Sequence, residues 1–136
     1  MITEDYISFE NAHLLKNAGF NEVTSHVYSD TKELLRLTDY GIKDLTNKDC
    51  DEYPKWQFLI EGVSEIISAP TIQMAMKWLR EEHKIHLSIV PSMTIGKFKM
   101  SVYYDDYTGW KKFGKEMKSY EEACNKGISY ILKNLI

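Results

Sequence analysis

The sequence predicts an α+β fold in which an antiparallel β-sheet is packed on one face by two helices. Three patterns predict it: a helix followed by a strand over 67–90, an alternating hairpin over 97–117, and a capped helix over 119–135. An N-terminal helix and one or two extra strands complete the expected fold. At 136 residues the chain is long enough to bury one core, so we expect a single domain over 1–136.

The N-terminal part predicts a helix and then a strand. Ser8 is a suitable N-cap, apolar residues recur at helical spacing up to Ala18, and Gly19 can end the helix in the left-handed conformation. Over 22–28, successive residues alternate in the way that is typical of a strand.

The segment after this strand is harder to interpret. Asp30 with Glu33 favours a short helix, whereas the leucines before residue 38 fit a hairpin partner for the previous strand, and both alternatives stay open. Residues 38–54 are polar and acidic and have no period, which predicts a long variable loop or a locally disordered insert. Residues 56–60 are expected to return to extended structure.

The centre of the chain predicts a helix that leads directly into a strand. Ser68 is the expected N-cap, and Pro70 is suited to the first turn. After His83 the apolar period changes from helical to two, so 85–90 is expected to be a strand. We expect Trp78 to be a structural residue. It widens an apolar stripe on the helix formed by Ile72, Ala75, Met76 and Leu79.

The C-terminal part predicts a hairpin and a last helix. Alternation over 97–104 predicts a strand with one buried face. Asp105–Gly109 is expected to form a hairpin loop, and 110–117 the returning strand. Ser119 and Glu122 have the spacing of a capping box at the start of the last helix. The resulting order α-β-β-β-α is that of an antiparallel meander with two helices on one face.

Charge and cysteine content limit the class of protein. No apolar run approaches the roughly 18 residues of a membrane-spanning helix, and the acidic N-terminus lacks the pattern of a secretory signal. Cys50 and Cys124 make no disulfide framework, which favours a cytoplasmic location.

The net charge of −3 is unevenly distributed along the chain. Residues 1–69 carry 6 basic and 13 acidic residues, and residues 70–136 carry 11 basic and 7 acidic residues. This favours either an anionic partner for the basic half or attraction between the halves within one fold.

Three segments of the sequence resemble a known family. They are YISFENAHLLKNAGF, SAPTIQMAMKWLREEHKIHLSI and SYEEACNKGISYILKNLI, and the resemblance extends over nearly the whole chain except roughly 30–66. The family is an uncharacterised small-protein family of phages, prophages and mobile elements of Bacteroides-like bacteria. The resemblance implies a phage or mobile-element context and an accessory role inside the cell. It brings no catalytic residues and implies no reaction.

No pattern in the sequence predicts catalysis, a metal or a cofactor. His83 and His86 have a spacing that places two imidazoles on one metal within a helix, but here the helix gives way to a strand between them. The carboxylate pairs Asp105-Asp106, Glu81-Glu82 and Glu121-Glu122 are adjacent residues, which do not face one another on a helix. The glycine-rich phosphate-binding motifs and the nucleophile motif are not present in the sequence. We therefore expect a non-enzymatic protein.

Two kinds of partner follow from the sequence. The leading hypothesis is an accessory protein that binds a protein partner, and the resemblance and the aromatic residues near the hairpin support it. The alternative is nucleic-acid or nucleotide binding through a basic aromatic meander over 97–118, in which lysines contact phosphates and rings stack on bases. Glu121 and Glu122 oppose this alternative because they repel phosphate at a helix N-terminus. A solvated lysine-rich face that protects sheet edges has the same pattern. The candidate residues of the alternative are Lys97, Lys99, Tyr103, Trp110, Lys111 and Lys112.

Overall fold

Residues 3–104 and 108–136 are described by a computed structural model. Over these residues the chain forms four α-helices and two three-stranded antiparallel sheets, which confirms the predicted α+β class. Within this fold the chain divides into two compact units, and the single domain expected over 1–136 stays a prediction. The first unit is Tyr6–Pro70, and the second combines Met1–Asp5 with Thr71–Ile136. None of the described helices combines the length and the apolar content needed to cross a bilayer.

The first unit contains two α-helices and one sheet. Its elements are α1 (Phe9–Asn17), β1 (His26–Ser29), β2 (Leu34–Arg36), α2 (Asn47–Asp51) and β3 (Ile66–Ser68), with short 3-10 helices at Leu37–Tyr40 and Tyr53–Lys55. The strand order is β2-β1-β3, and both pairings are antiparallel. The hairpin alternative for the segment after β1 is therefore confirmed. The sequence predicts one or two extra strands, and this sheet has three.

The N-terminal helix begins where the sequence predicts it. Ser8 Oγ accepts a hydrogen bond from Asn11 N at 3.2 Å, which caps α1. β1 starts later than the strand predicted over 22–28, because Thr24 pairs instead with Leu45 in an isolated bridge.

The segment 38–54 contains short helices where the sequence predicts a long loop or a disordered insert. Leu45, Cys50 and Tyr53 are each less than a tenth exposed, and they pack with Val27 into the apolar core of the first unit. Single apolar residues at irregular spacing therefore hold this segment in place. A segment held in this way shows no period in its sequence.

Residues 56–58 form bends and 59–60 have no regular secondary structure, so no strand forms there and the prediction of extended structure is wrong. The turn that follows, over 60–63, is held by the buried side chain of Tyr53. Tyr53 Oη donates a hydrogen bond to Val63 O at 2.9 Å and accepts one from Ile60 N at 2.8 Å. β3, which the sequence does not predict, follows this turn, and all of its residues are buried.

The second unit contains two helices and the second sheet. Its elements are α3 (Ile72–His83), β4 (His86–Pro91), β5 (Phe98–Tyr104), β6 (Gly109–Lys112) and α4 (Tyr120–Asn134). The strand order is β4-β5-β6, antiparallel throughout. Since α4 packs on β4 and β5, and α3 packs on β4 and α4, the predicted α-β-β-β-α arrangement is confirmed. The hairpin loop predicted over Asp105–Gly109 lies for the most part outside the described residues.

The start of α3 differs from the prediction. Thr71 is the N-cap, because its Oγ1 accepts a hydrogen bond from Met74 N at 3.1 Å. The prediction of Ser68 as the cap is wrong. Ser68 lies in β3, where its N–H donates to Asn47 Oδ1 at 3.0 Å, and Pro70 precedes the cap instead of lying in the first turn.

The end of the meander is shorter than predicted, and the last helix begins as predicted. β6 ends before the strand predicted over 110–117 does, and Met117 then pairs with Phe98 in an isolated bridge. Ser119 Oγ accepts a hydrogen bond from Glu122 N at 3.1 Å, which confirms the predicted cap of α4.

Candidate functional site

Strand pairing places most of the candidate residues on the face of the second sheet that points away from its helices. Tyr103 pairs with Trp110, and Ser101 pairs with Lys112. Paired residues point to the same face and adjacent residues of a strand to opposite faces, so Lys99 shares this face. We call it the outer face. Its described residues are His86, Ser88 and Val90 of β4, Lys99, Ser101 and Tyr103 of β5, and Trp110 and Lys112 of β6.

Lys111, which the sequence groups with the other candidates, lies on the opposite face. It pairs with Val102, which is fully buried, and its Nζ lies 6.0 Å from the centroid of the Phe113 ring. The alternation of a strand is a signal that separates Lys111 from Lys112 in the sequence alone. Lys97 precedes β5 and belongs to the turn before it.

A row of rings crosses all three strands of the outer face. His86 pairs with Tyr103, which in turn pairs with Trp110. The Tyr103 and Trp110 rings are inclined by 18°, and their centroids are 6.4 Å apart, within the range of offset stacking. Trp110 is 57% exposed. The outer face therefore presents a large flat side chain whose orientation a neighbouring ring already supports.

The turn from Ser92 to Lys97, called the hairpin tip below, presents two apolar side chains to solvent. Met93 and Ile95 are 100% and 98% exposed. Ser92 N donates to Lys97 O at 2.9 Å and closes the turn. Gly96 has a φ of 77°, a conformation that favours glycine.

Glu116 holds the hairpin tip from the segment before α4. Ser92 Oγ donates to Glu116 Oε2 at 2.6 Å, and Thr94 Oγ1 donates to Glu116 Oε1 at 3.3 Å. These two hydrogen bonds, together with the charges of Lys99 and Lys97, lower the pKa of the Glu116 carboxyl. The carboxylate stays ionised at neutral pH and keeps both oxygens available as acceptors.

Sequence reasoning misses the hairpin tip and its support. Gly96 is the available signal, because a glycine after an alternating run marks a turn and places its apolar neighbours Met93 and Ile95 near solvent. No local pattern connects Glu116 with a turn that lies so far before it in the chain.

His83 and His86 are separated by a turn, as the change of period predicts. His83 ends α3 and packs edge-on against Trp78, with ring centroids 4.8 Å apart, and Trp78 is only 8% exposed. Lys84 has a φ of 57° and turns the chain, so that His86 belongs to the outer face. In the part of the chain that the structure describes, no three His, Cys, Asp or Glu side chains are placed to hold a metal ion.

A cleft of about 190 Å³ lies in the first unit between α1, α2 and the sheet. Its wall includes the ion pair of Lys16 with Asp51, at 2.6 Å, and the His13 ring, which packs edge-on against Phe9. Cys50 lines it as well, but burial raises the pKa of this thiol to about 11. A thiol in this state is protonated at neutral pH and is not an activated nucleophile.

Comparison with known proteins gives no match. No protein-family model matches the chain, and neither does any curated protein or any solved structure. The resemblance to a phage family therefore stays a prediction. The hairpin tip and the outer face carry the proposals that follow.

Proposed function

We propose that this chain is a non-enzymatic accessory protein that binds a protein partner through the hairpin tip. The observation that carries the proposal is the full exposure of Met93 and Ile95 on a turn held by Glu116. The sequence resemblance supports a phage or mobile-element context. The two free, buried cysteines are in keeping with a cytoplasmic location.

Exposed apolar side chains on a fixed turn favour association. Removing one such side chain from water contributes about 1.5–3 kcal/mol. A flexible turn would lose part of this free energy because its backbone and side chains have to be ordered at the interface. The hydrogen bonds of Glu116 to Ser92 and Thr94 reduce that loss, since they order the turn in the free chain.

The charges beside the hairpin tip indicate the chemistry of the partner. Lys97 and Lys99 lie near enough to Glu116 for their charges to lower its pKa. A partner surface with an apolar pocket for Met93 and Ile95, bordered by carboxylates that face the lysines, complements the tip in both respects. Such complementary charges fix the orientation of a complex and raise its association rate. The proposed partner is therefore a protein with an acidic surface around an apolar pocket.

Affinity capture from the producing cell tests this proposal. Met93→Ser combined with Ile95→Ser removes the apolar surface and leaves the hydrogen bonds of Glu116 in place. Val23→Ser is the matched control, because Val23 is a 54% exposed apolar residue of the first unit. We expect the wild-type chain and the control to retain the same acidic protein. With the purified pair, the Kd of the tip variant is expected to rise at least about tenfold, as for a hot-spot contact.

Three results would count against the proposal. The first is equal affinity of the tip variant for every retained protein. The second is retention of no protein by the wild-type chain. The third is self-association through the tip as the only interaction, which sedimentation of the wild-type and variant chains would detect.

A further inference from the structure

We infer that the outer face of the second sheet binds single-stranded nucleic acid. The inference is carried by the ring row of His86, Tyr103 and Trp110, which lies beside Lys99 and Lys112 on one sheet face. It goes beyond the proposed function, because it assigns a second ligand to a face that shares only Lys99, with Lys97 beside it, with the proposed protein-binding surface.

The ring row provides a stacking surface for unpaired bases. Tyr103 and Trp110 are already nearly parallel, so little side-chain freedom is lost when a base stacks on them. Stacking is tolerant of sequence because every base has a π-face. Neighbouring strands are about 4.8 Å apart, so the row across three strands spans about 10 Å. This length matches roughly four stacked nucleotides, which are joined by three steps of about 3.4 Å each.

The charges of the outer face suit a phosphate backbone. Lys99 and Lys112 are its lysines, and its described residues include no carboxylate, although the whole chain has a net charge of −3. Ser88 and Ser101 form one cross-strand row with Lys112. Their small side chains leave room beside the rings for a sugar–phosphate chain whose phosphates contact the lysines.

The same face does not suit a duplex. A flat face with rings reaches bases only where they are unstacked, which is why sheet surfaces of this kind recognise single strands. Glu121 and Glu122 open α4, which packs on the opposite side of the sheet, so these carboxylates are not part of the outer face.

The number of lysines limits the affinity. Each phosphate neutralised on a single strand contributes about 0.7 to the slope of log K against log salt. Lys99 and Lys112, with Lys97 beside the face, therefore give an expected slope of about −1.4 to −2.1. We expect micromolar or weaker binding at physiological salt. Little preference among sequences is expected, because stacking and phosphate contacts do not read base edges.

Fluorescence anisotropy with a labelled oligothymidylate, measured at several salt concentrations, tests the inference. Trp110→Ala is expected to weaken binding about 5- to 150-fold through the loss of a stacked base, whereas Trp110→Phe retains most of the affinity. Lys99→Ala with Lys112→Ala is expected to reduce the salt slope by about 1.4. Lys111→Ala is the matched control, since it removes an adjacent lysine from the opposite face and is expected to leave the slope unchanged.

Further variants keep the test decisive. The tip variant, Met93→Ser with Ile95→Ser, is expected to bind the oligonucleotide as the wild-type chain does, because the tip and the ring row lie at opposite ends of β5. Melting temperatures of all variants identify any that unfold, and the lysine pair provides a readout that does not depend on the Trp110 variants. The inference is overturned if the wild-type chain binds no oligonucleotide at low salt, if Lys111→Ala weakens binding as much as the lysine pair does, or if a duplex binds more tightly than the single strand.

Discussion

Gly127 of α4 lies directly against the side chain of Leu87 in β4. A Cβ atom added at Gly127 would lie 2.8 Å from Leu87 Cδ2 and closer still to Cδ1. A glycine in the interior of a helix costs about 1 kcal/mol relative to alanine. The close approach of helix and strand at this point offsets that cost, because Leu87 packs against the backbone of α4.

We expect Gly127→Ala to destabilise the protein even though alanine favours a helix. The side chain of Leu87 would have to leave its position, and overpacking of this kind costs about 1–3 kcal/mol. In a Leu87→Ala background, which removes the clash, Gly127→Ala is expected to stabilise by about 1 kcal/mol. Urea unfolding of the four proteins of this double-mutant cycle measures both effects. A stabilising effect in both backgrounds would contradict the packing described here.

Tyr53→Phe is expected to lower the free energy of unfolding by about 1–3 kcal/mol. The substitution removes the hydroxyl that donates to Val63 O and accepts from Ile60 N, and the ring it leaves is fully buried. Tyr40→Phe is the matched control, because Tyr40 is 45% exposed. Denaturant unfolding of both variants makes the comparison, and equal effects would show that the hydroxyl of Tyr53 does not hold the turn.

Both thiols are expected to react slowly in the native chain. Burial raises the pKa of Cys50 and of Cys124 to about 11, so little thiolate is present at about pH 8. A disulfide reagent that releases a coloured thiol is expected to modify both cysteines rapidly only after denaturant is added. Fast modification of either one in the native protein would contradict the burial of that side chain.

The support of the hairpin tip by Glu116 is expected to weaken in acid. The pKa of Glu116 is lowered by the hydrogen bonds from Ser92 and Thr94, so its stabilising contribution is complete above the ordinary value of 4.5 and disappears as the pH falls through the lowered value. Glu116→Gln removes this titration. The difference in melting temperature between the wild-type chain and the variant is therefore expected to shrink below about pH 4.5. A difference that stays constant down to about pH 2 would mean that the carboxylate does not support the tip.

The second unit is predictable because the buried apolar residues of its helices and strands recur at the regular spacing of each element. The apolar stripes of α3 and α4 recur at helical spacing, and Met100 and Val102 are buried at alternate positions of β5. The outer face follows from the same alternation, which separates Lys111 from Trp110 and Lys112. The sequence does not reveal how the hairpin tip is held, because the hydrogen bonds that Glu116 accepts from Ser92 and Thr94 join residues far apart in the chain.

The first unit depends on pairings that local patterns do not reveal. β3 consists of Ile66, Ile67 and Ser68, all of them buried, so no alternation marks it as a strand. Its partner β1 lies far earlier in the chain. In the sequence alone, Ser68 is a suitable helix cap. In the structure its N–H instead donates to Asn47 Oδ1, and Asn47 lies in a segment whose sequence has no period. Long-range hydrogen bonds of this kind decide which of two locally acceptable structures forms.

The two ends of the first unit are neighbours in space, because Ile7 N donates a hydrogen bond to Pro70 O at 3.0 Å. Ile72 N donates in turn to Asp5 O at 2.9 Å, so the first unit is an insertion in the sequence of the second. During synthesis on the ribosome the inserted residues emerge together and are able to fold at once. Residues 3–5, which belong to the second unit, are made roughly 3–13 s before synthesis of Thr71–Ile136 begins, at about 5–20 residues per second. Each new chain therefore passes through a stage in which the inserted unit is complete and its host has not yet been made.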